Sequence, residues 1–418
     1  MGERLLQGVG VEPMTLESHL RVHGPLPAAT PEVLASEIER AGLRGRGGGG
    51  FPLARKLAAV KRARGRPTVI VNGCEGEPLS AKDGLLLGLL AHLVIDGALC
   101  LARVIGSSEI LIAVDELNIR AGEAALQALE QRPKLDDGRI SAQVVWTPTG
   151  YVGGQETAIV RWCEDGIAKP RFGAPRVTER GIGRRPTLVA NAETVAHVAL
   201  IARHGGRWFR QAGTDADPGT ALITVGGAVA QPGIYEIEHG LGLSALLTWA
   251  GGCSEPPRAF LLGGYGGAWV DAADVDAVRL SPGELARLRA RLGPGIAFAL
   301  PRSACPVAEV TRVAAWLAAE STGQCGPCVN GLAAIAGELR RVRDGVAAHL
   351  ALAEILRWSG LAAGRGACAH PDGTASFVTS AVRTFSEELI DHAQHGPCDA
   401  CEWPSMLPII KRAQLAVA

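Results

Sequence analysis

The sequence predicts a three-part α/β protein: a doubly wound parallel sheet, then a small β-grasp module, then a bundle of four helices. Three observations carry this. Between residues 67 and 205, short β-branched runs alternate with helical stretches, the pattern of a parallel sheet covered on both faces. After Thr220 the strands shorten and pair about a Gly-Pro turn. From Val307 the apolar residues recur at helical spacing throughout.

In chain order, PTVIVNG reads as a strand, the apolar run from Leu85 as a helix, EILIAV as a strand and AGEAALQALEQ as a helix. ISAQVVW and TAIVRWCED repeat the step, as do RPTLVAN and ETVAHVALIARHG. The second part holds two strands in ALITVGGAVAQPGIYEI, a helix in LSALLTWAGG and a strand in AFLLGG. The bundle comprises VAEVTRVAAWLAAES, NGLAAIAGELRRV, HLALAEILRWSG and TASFVTSAVRTFSEEL. The expected boundaries are a helical segment over 1–40, the sheet domain over 41–215, the β-grasp module over 216–302, the bundle over 303–392 and a tail over 393–418.

Composition excludes several function classes. Lys+Arg and Asp+Glu balance at 42 each, so no basic surface recruits nucleic acid. The run LLLGLLAHLVIDGALCLARVIG is long enough for a membrane span but carries His92, Asp96 and Arg103, which points to a buried helix. MGERLLQGVG has no basic segment followed by an apolar run, so no signal peptide is expected. Ten cysteines with paired spacings then favour a reducing cytoplasm over a disulfide scaffold.

The stretch GLRGRGGGGFPLARK concentrates glycine at 45, 47, 48, 49 and 50, where backbone N–H groups can approach a ligand with no Cβ in the way. A helix starting near Pro52 adds positive potential suited to phosphate. Phe51 can stack on a planar ring, and Lys56 can pair with a phosphate. A flexible linker is the bland alternative, but linkers favour serine over a Phe-Pro step followed by lysine. Three polar turns follow strands: Asn72, Glu75 and Glu77 in VNGCEGEPLSAKD, then GYVGGQETA, then RPTLVANAETVAH. Each alone is an ordinary solvated turn. Together with the glycine loop, at one edge of one sheet, they make a ligand site.

The order GLRGRGGGGFP, NGCEGEP, YVGGQETA, PTLVANAET, VGGAVAQPGIYE, ESTGQCGPC and GACAH resembles the NADH-oxidising flavoprotein subunit of respiratory NADH:quinone oxidoreductase, a subunit type also found in soluble hydrogenases and formate dehydrogenases. The resemblance covers nearly the whole chain. It implies a Rossmann-like FMN and NADH domain, a ubiquitin-like SLBB-type module and a four-helix bundle holding a [4Fe–4S] cluster. Gly45, Arg46, Gly47, Gly48, Phe51 and Lys56 match the family's FMN-phosphate and nucleotide loop. Asn72, Glu75 and Glu77 match the turn around the flavin, with Cys74 where an Asp is usual. Tyr151, Gly154 and Glu156 match the next turn, with Gln155 in place of the first of two glutamates. Asn191 and Thr194 match the asparagine turn, where Ala190 replaces its first Asn.

In the family, three cysteines at successive steps of three, plus a later one, hold the cluster. Cys325, Cys328 and Cys368 match three of the four, and Thr322 replaces the first. A threonine hydroxyl ionises far less readily than a thiol and is a poor iron ligand. Three thiolates suit a [3Fe–4S] core or, the favoured expectation, a [4Fe–4S] core whose fourth iron takes Cys398, Cys401 or a solvent oxygen; alternatively Cys398 and Cys401 form a zinc set with Cys325 and Cys328. Cys100, Cys163, Cys253 and Cys305 read as core thiols. The implied function is electron transfer from NADH, with NADPH as a second donor, through FMN and an iron–sulfur cluster to a protein acceptor such as a ferredoxin or a partner subunit. Cofactors carry that chemistry, and no side chain is expected as nucleophile or general acid. The competing expectation is a non-catalytic assembly subunit with a structural zinc site.

Overall fold

The structure, a computed structural model, describes residues 3–132, 134–135, 138–173, 175–347 and 350–409. It begins with α1 (Leu16–His23) and α2 (Pro31–Ala41), whose N-termini are capped by the hydroxyls of Thr15 and Thr30. After the glycine loop, α3 (Leu53–Arg62) leads into β1 (Thr68–Asn72). α4 (Lys82–Leu89) and α5 (Ala91–Ile105) connect to β2 (Glu109–Asp115), and α6 (Ile119–Glu130) to β3 (Ser141–Thr147). α7 (Glu156–Asp165) precedes β4 (Thr187–Asn191), and α8 (Ala192–Phe209) closes the unit.

The four strands pair in the order β3-β2-β1-β4, all parallel. β1 and β2 are buried almost throughout, as their continuous Val/Ile/Leu sequences require of a sheet covered on both faces. Helices α5 and α8 cover one face, while Ile159 and Val160 of α7 cover the other. Because β2 and β4 flank β1 on opposite sides, the connections diverge there and leave a crevice at the strand C-termini. Asn72 and Asn191 end β1 and β4 as register partners.

The long apolar run is two helices, not one: α4 and α5 meet at Leu90 and are bent by 95°. No single helix among the described residues is long and apolar enough to cross a membrane. Every residue of α5 except Arg103 is buried. Gly97 allows the contact with α8, since a Cβ there would lie 1.8 Å from the Val195 carbonyl oxygen. Its neighbour Asp96 accepts from His19 at 2.8 Å and pairs with Arg132 and Arg203, joining α1, α5, the end of α6 and α8.

The second sheet follows the order β6-β5-β9-β7-β8. It comprises β5 (Thr220–Gly227), β6 (Gly233–Glu238), β7 (Pro257–Leu262), β8 (Ala268–Asp271) and β9 (Ile296–Pro301), with α9 (Leu243–Trp249) and α10 (Pro282–Arg287) in its connections. β9 lies parallel to β5 and antiparallel to β7, giving the mixed sheet of a β-grasp unit. The sequence reading omitted β8 and β9. β9 is a wholly buried apolar run whose signal was available, whereas β8 is only four residues long.

The bundle contains α11 (Pro306–Ala319), one π-helical turn at Pro327–Leu332, α12 (Ala333–Arg343), α13 (Ala351–Ala362), α14 (His370–Thr384) and α15 (Ser386–His395). Among the described residues, five helices therefore stand where four were expected. The last expected helix breaks at Phe385 (φ −117°, ψ 33°), whose buried ring packs on Trp269 of β8 at 5.1 Å. That contact seats the bundle on the second sheet.

Burial pushes the Asp96 carboxyl up, but His19, Arg132 and Arg203 more than reverse this and hold it well below the usual carboxylate range. A depressed folded value means stability present above the unfolded pKa and lost as pH falls through the folded one. Asp96→Ala leaves two arginines unpaired and is expected to cost about 3–5 kcal/mol near neutrality. In urea unfolding, the gap between wild type and variant should narrow only below about pH 4. A gap that is absent at neutral pH, or that widens in acid, contradicts this assignment.

Candidate functional site

A cavity of about 660 Å³ opens at the C-terminal ends of β1 and β4. Its floor is the glycine loop. Gly48 and Gly50 have φ of +102° and +57°, which glycine adopts without steric cost. A Cβ on Gly47 would press on the Asn191 Cβ at 3.2 Å, and one on Gly49 would meet nothing within 4 Å, because Gly49 faces the open cavity. α3 starts at the cavity wall with Pro52 as N-cap and no side-chain cap, so its first N–H groups bring positive potential there. Phe51 stands partly exposed at the rim.

Ten of the expected residues line this space: Gly45, Gly47, Phe51, Lys56, Asn72, Gly154, Gln155, Glu156, Asn191 and Thr194. Their orientations follow from local hydrogen bonds. Asn72 donates to the Gly154 carbonyl at 2.8 Å and accepts from the Cys74 N–H at 3.1 Å, so the first two polar turns are locked together. The Cys74 thiol, pushed up to about 12 by burial, adds no charge to this turn. Lys56 Nζ lies 2.7 Å from Glu156 and 2.9 Å from the Val189 carbonyl. The Gln155 amide oxygen caps α7, accepting from the N–H groups of Thr157 and Ala158 at 2.9 and 3.1 Å. Thr194 Oγ1 accepts from the Arg46 N–H at 2.8 Å.

The remaining expected residues lie outside the cavity. Arg46 and Gly48 turn toward a neighbouring space of about 300 Å³ shared with Glu193 and His239. Glu75 accepts from the N–H groups of Asp83 and Gly84 at 3.0 and 2.9 Å and so starts α4. Glu77 reaches the second sheet, accepting from the Tyr265 N–H at 2.9 Å, and burial pushes it up to about 8. The Tyr151 N–H donates to Glu320 of the bundle at 2.9 Å, and its ring stands edge-on to Trp316 and His370 at 5.4 and 5.1 Å.

Sequence reasoning missed Lys82, Asp83 and Glu193. Lys82 has no exposed surface, and its Nζ lies 2.9 Å from Asp83, 3.0 Å from Glu193 and 3.0 Å from Asn191 Oδ1. Burial pulls the lysine down, but the two carboxylates more than reverse it, so it stays charged. Glu193, pushed up by burial and held back by Lys82 and Arg46, also accepts from the Leu222 N–H of β5 at 2.9 Å. The available signal was a Lys-Asp pair opening an otherwise apolar run, KDGLLLGLL.

Six of the ten cysteines fall into two groups. Cys325, Cys328 and Cys368 converge at the C-terminal end of α11. The three lie close enough for the charges of Cys325 and Cys368 to bear on Cys328, and that of Cys325 on Cys368. Burial, then Cys325, pushes the Cys328 thiol up to about 12, so a bound metal is what would make it a thiolate. Thr322 Oγ1 accepts from Gln324 Nε2 at 3.3 Å. Cys398 and Cys401 do not join this group, either as the missing ligand or as a zinc set. They lie at the opposite end of α11, where Cys401 Sγ is 3.5 Å from Cys305 Sγ. Fourteen helical residues, about 21 Å, separate the two ends. Cys305 is buried, as a core thiol would be, but it has thiol neighbours.

The cavity suits a phosphate-bearing planar ligand, and the three thiols suit an iron–sulfur core. Comparison with known proteins agrees. Residues 38–200 match the Nuo51 FMN-binding domain, 222–267 the SLBB domain, and 308–392 the NADH-ubiquinone oxidoreductase-F iron–sulfur binding region. One F-type subunit of the NADH-quinone oxidoreductase of Rhizobium meliloti, the one numbered 2, is 30% identical over 88% of this chain and 90% of its own length. The F-type subunit of the Streptomyces coelicolor enzyme is 30% identical over 89% and 85%. Among solved structures, a chain of NAD+-reducing [NiFe]-hydrogenase in the H2-reduced state superposes with a TM-score of 0.80 at 27% identity, covering 87% of this chain and 63% of that one. The air-oxidised form gives 0.81 at 28%, covering 97% and 69%. These matches bear out the flavin and iron–sulfur expectations and the order of the three parts. The chain belongs to the family of F-type NADH-quinone oxidoreductase subunits, the NADH-dehydrogenase flavoproteins with an FMN domain, an SLBB domain and an iron–sulfur region.

Proposed function

We propose that the crevice between β1 and β4 holds FMN and receives NADH, and that electrons leave through a cluster on Cys325, Cys328 and Cys368 to a redox partner. The observation that carries this is the glycine-floored cavity at the switch point, with the three-thiol group beyond Tyr151. Bound there, FMN supplies the conversion of a two-electron hydride donor into single electrons. The chain's own residues bind and orient. Gly45, Gly47 and Gly49 with the α3 N-terminus face the phosphate, Lys56 balances its charge, and Asn72, Asn191 and Thr194 fix the ring. Phe51 stacks on the incoming nucleotide, and Gln155 with Glu156 receive its ribose. Arg46, Gly48, Glu75 and Glu77 support these turns from behind, and Tyr151 spans the wall toward Cys368.

The acceptor is a small ferredoxin or a further redox subunit. Membership of a family named for a multi-subunit oxidoreductase supports this. Ten free thiols support a cytoplasmic location. The functional units run over 41–215, 216–302 and 303–392, with the helical segment 1–40 before them and the tail 393–418 after.

With Cys398 and Cys401 at the far end of α11, the cluster has three thiolates, and we assign a [4Fe–4S] core with a non-thiolate oxygen on its fourth iron. Fewer thiolates leave less negative charge, so its potential should lie above that of a four-cysteine site. Anaerobic addition of NADH should bleach the flavin and produce the EPR signal of a reduced cluster. Thr322→Cys should shift that signal and lower the potential, whereas a Cys398→Ser, Cys401→Ser double variant should leave both unchanged. An NADH-silent flavin, or a signal insensitive to Thr322→Cys, contradicts the reading.

The Gln155 position bears on nucleotide choice. A carboxylate beside the adenosine ribose accepts its hydroxyls and repels a 2′-phosphate. Gln155 keeps the hydrogen-bonding capacity without the charge, so NADPH should be used measurably beside NADH. In Gln155→Glu the cap on α7 survives, because the carboxylate accepts the same N–H groups. The ratio of kcat/KM for NADH over NADPH should then rise about tenfold, equivalent to about 1.4 kcal/mol. An unchanged ratio removes Gln155 from the specificity site.

A further inference from the structure

Cys305, His392, Cys398 and Cys401 come together where the second sheet meets the bundle, and their ligand atoms all lie within 4.8 Å of one another. Cys401 Sγ is 3.5 Å from Cys305 Sγ and 3.9 Å from Cys398 Sγ, and Cys305 Sγ is 3.6 Å from His392 Nε2. Three thiolates at about 2.3 Å and an imidazole nitrogen at about 2.0 Å from a tetrahedral zinc ion stand about 3.8 Å (sulfur to sulfur) and about 3.5 Å (sulfur to nitrogen) from each other. The side chains already have that spacing. We propose that these four residues form a mononuclear structural Zn2+ site, separate from the iron–sulfur cysteines, that fixes the C-terminal segment to the body of the protein.

The surroundings are built for a metal. His392 Nδ1 lies 3.4 Å from the Arg343 carbonyl, an acceptor that holds the proton on Nδ1 and leaves the Nε2 lone pair facing the thiols. The Ala308 N–H donates to Cys305 Sγ at 3.3 Å, and this bond at the start of α11 stabilises a thiolate. Cys398 and Cys401 flank a tight turn closed by the Cys401 N–H on the Cys398 carbonyl at 2.9 Å. Four protein ligands leave no open position, which marks a structural zinc rather than a catalytic one. An iron–sulfur cluster places each thiolate on its own iron and needs a wider set.

The site has a mechanical consequence. Beyond Cys401 the chain runs back along α11, where the Met406 and Leu407 N–H groups donate to Glu309 at 2.7 and 3.2 Å. Arg312 donates to the Leu407 carbonyl, and the Tyr265 hydroxyl donates to the Pro408 carbonyl. Tyr265 is the residue whose N–H holds Glu77. Zinc therefore pins a segment that closes the wall between the second sheet and the bundle.

The test is metal analysis of the full chain, purified from cells grown with iron and zinc. Wild type should carry stoichiometric zinc in addition to its iron, and the Cys398→Ser, Cys401→Ser double variant should lose the zinc, keep the iron and melt at a lower temperature. Zinc-edge X-ray absorption on wild type needs no variant and should show three sulfur ligands and one nitrogen. Wild type without zinc, zinc retained in the double variant, or a zinc coordinated by four sulfurs or by none overturns the proposal.

Discussion

Lys82 carries its charge with no exposed surface, between two carboxylates that belong to different turns of the sheet edge. Asp83 opens the helix after β1, and Glu193 opens the helix after β4. The lysine also holds Asn191 Oδ1, while Asn191 Nδ2 donates to Asp83 at 2.7 Å and to the Asn72 carbonyl at 3.4 Å. Desolvating three charges is expensive, and such a set repays its cost only with near-complete hydrogen bonding. That condition is geometric: if either turn moves, a buried charge loses its partner. The network therefore fixes the distance between the C-termini of β1 and β4, and hence the width of the crevice.

The same network reaches the second sheet through the bond from Leu222 to Glu193, and Glu77 makes a second tie through Tyr265. Glu77 was expected beside the flavin and Glu193 was not singled out, yet both join the sheet domain to its neighbour. The bundle is attached through Tyr151, held by Glu320 and packed on Trp316 and His370. His370 lies two residues from Cys368. The cavity and the three-thiol group are thus separated by a wall of packed aromatic and buried groups. A fixed separation is what repeated single-electron transfer between two bound centres requires.

Much of this was legible in the residues. The alternation of β-branched runs with helices located the parallel sheet, and clustered glycines before a helix located the cavity floor, because both patterns reflect local physics. The failures were tertiary. The apolar run from Leu85 carried no signal for the 95° bend at Leu90, since both arms are apolar and buried. Cys305 sat in an apolar stretch and read as a core thiol; only the return of α15 and the tail turn brings His392, Cys398 and Cys401 to it. Glu75 and Glu77 looked equivalent, but one caps a helix and the other crosses to Tyr265. Residue type shows that a turn is polar, and packing decides which way each side chain faces.

The central claim is that the glycine-floored crevice is the flavin site, and Gly49 allows it to be tested without disturbing the fold. A Cβ at Gly49 meets no protein atom within 4 Å beyond its chain neighbours, and the residue lines the cavity proposed to hold the ligand. Titration of flavin-free wild type and Gly49→Val with FMN, alongside thermal melts of both ligand-free proteins, is the direct measurement. The expected result is equal melting temperatures for the free proteins and at least about a tenfold weaker FMN affinity in the variant, equivalent to about 1.4 kcal/mol. Equal affinity for FMN in the two proteins would place the flavin elsewhere and contradict the account.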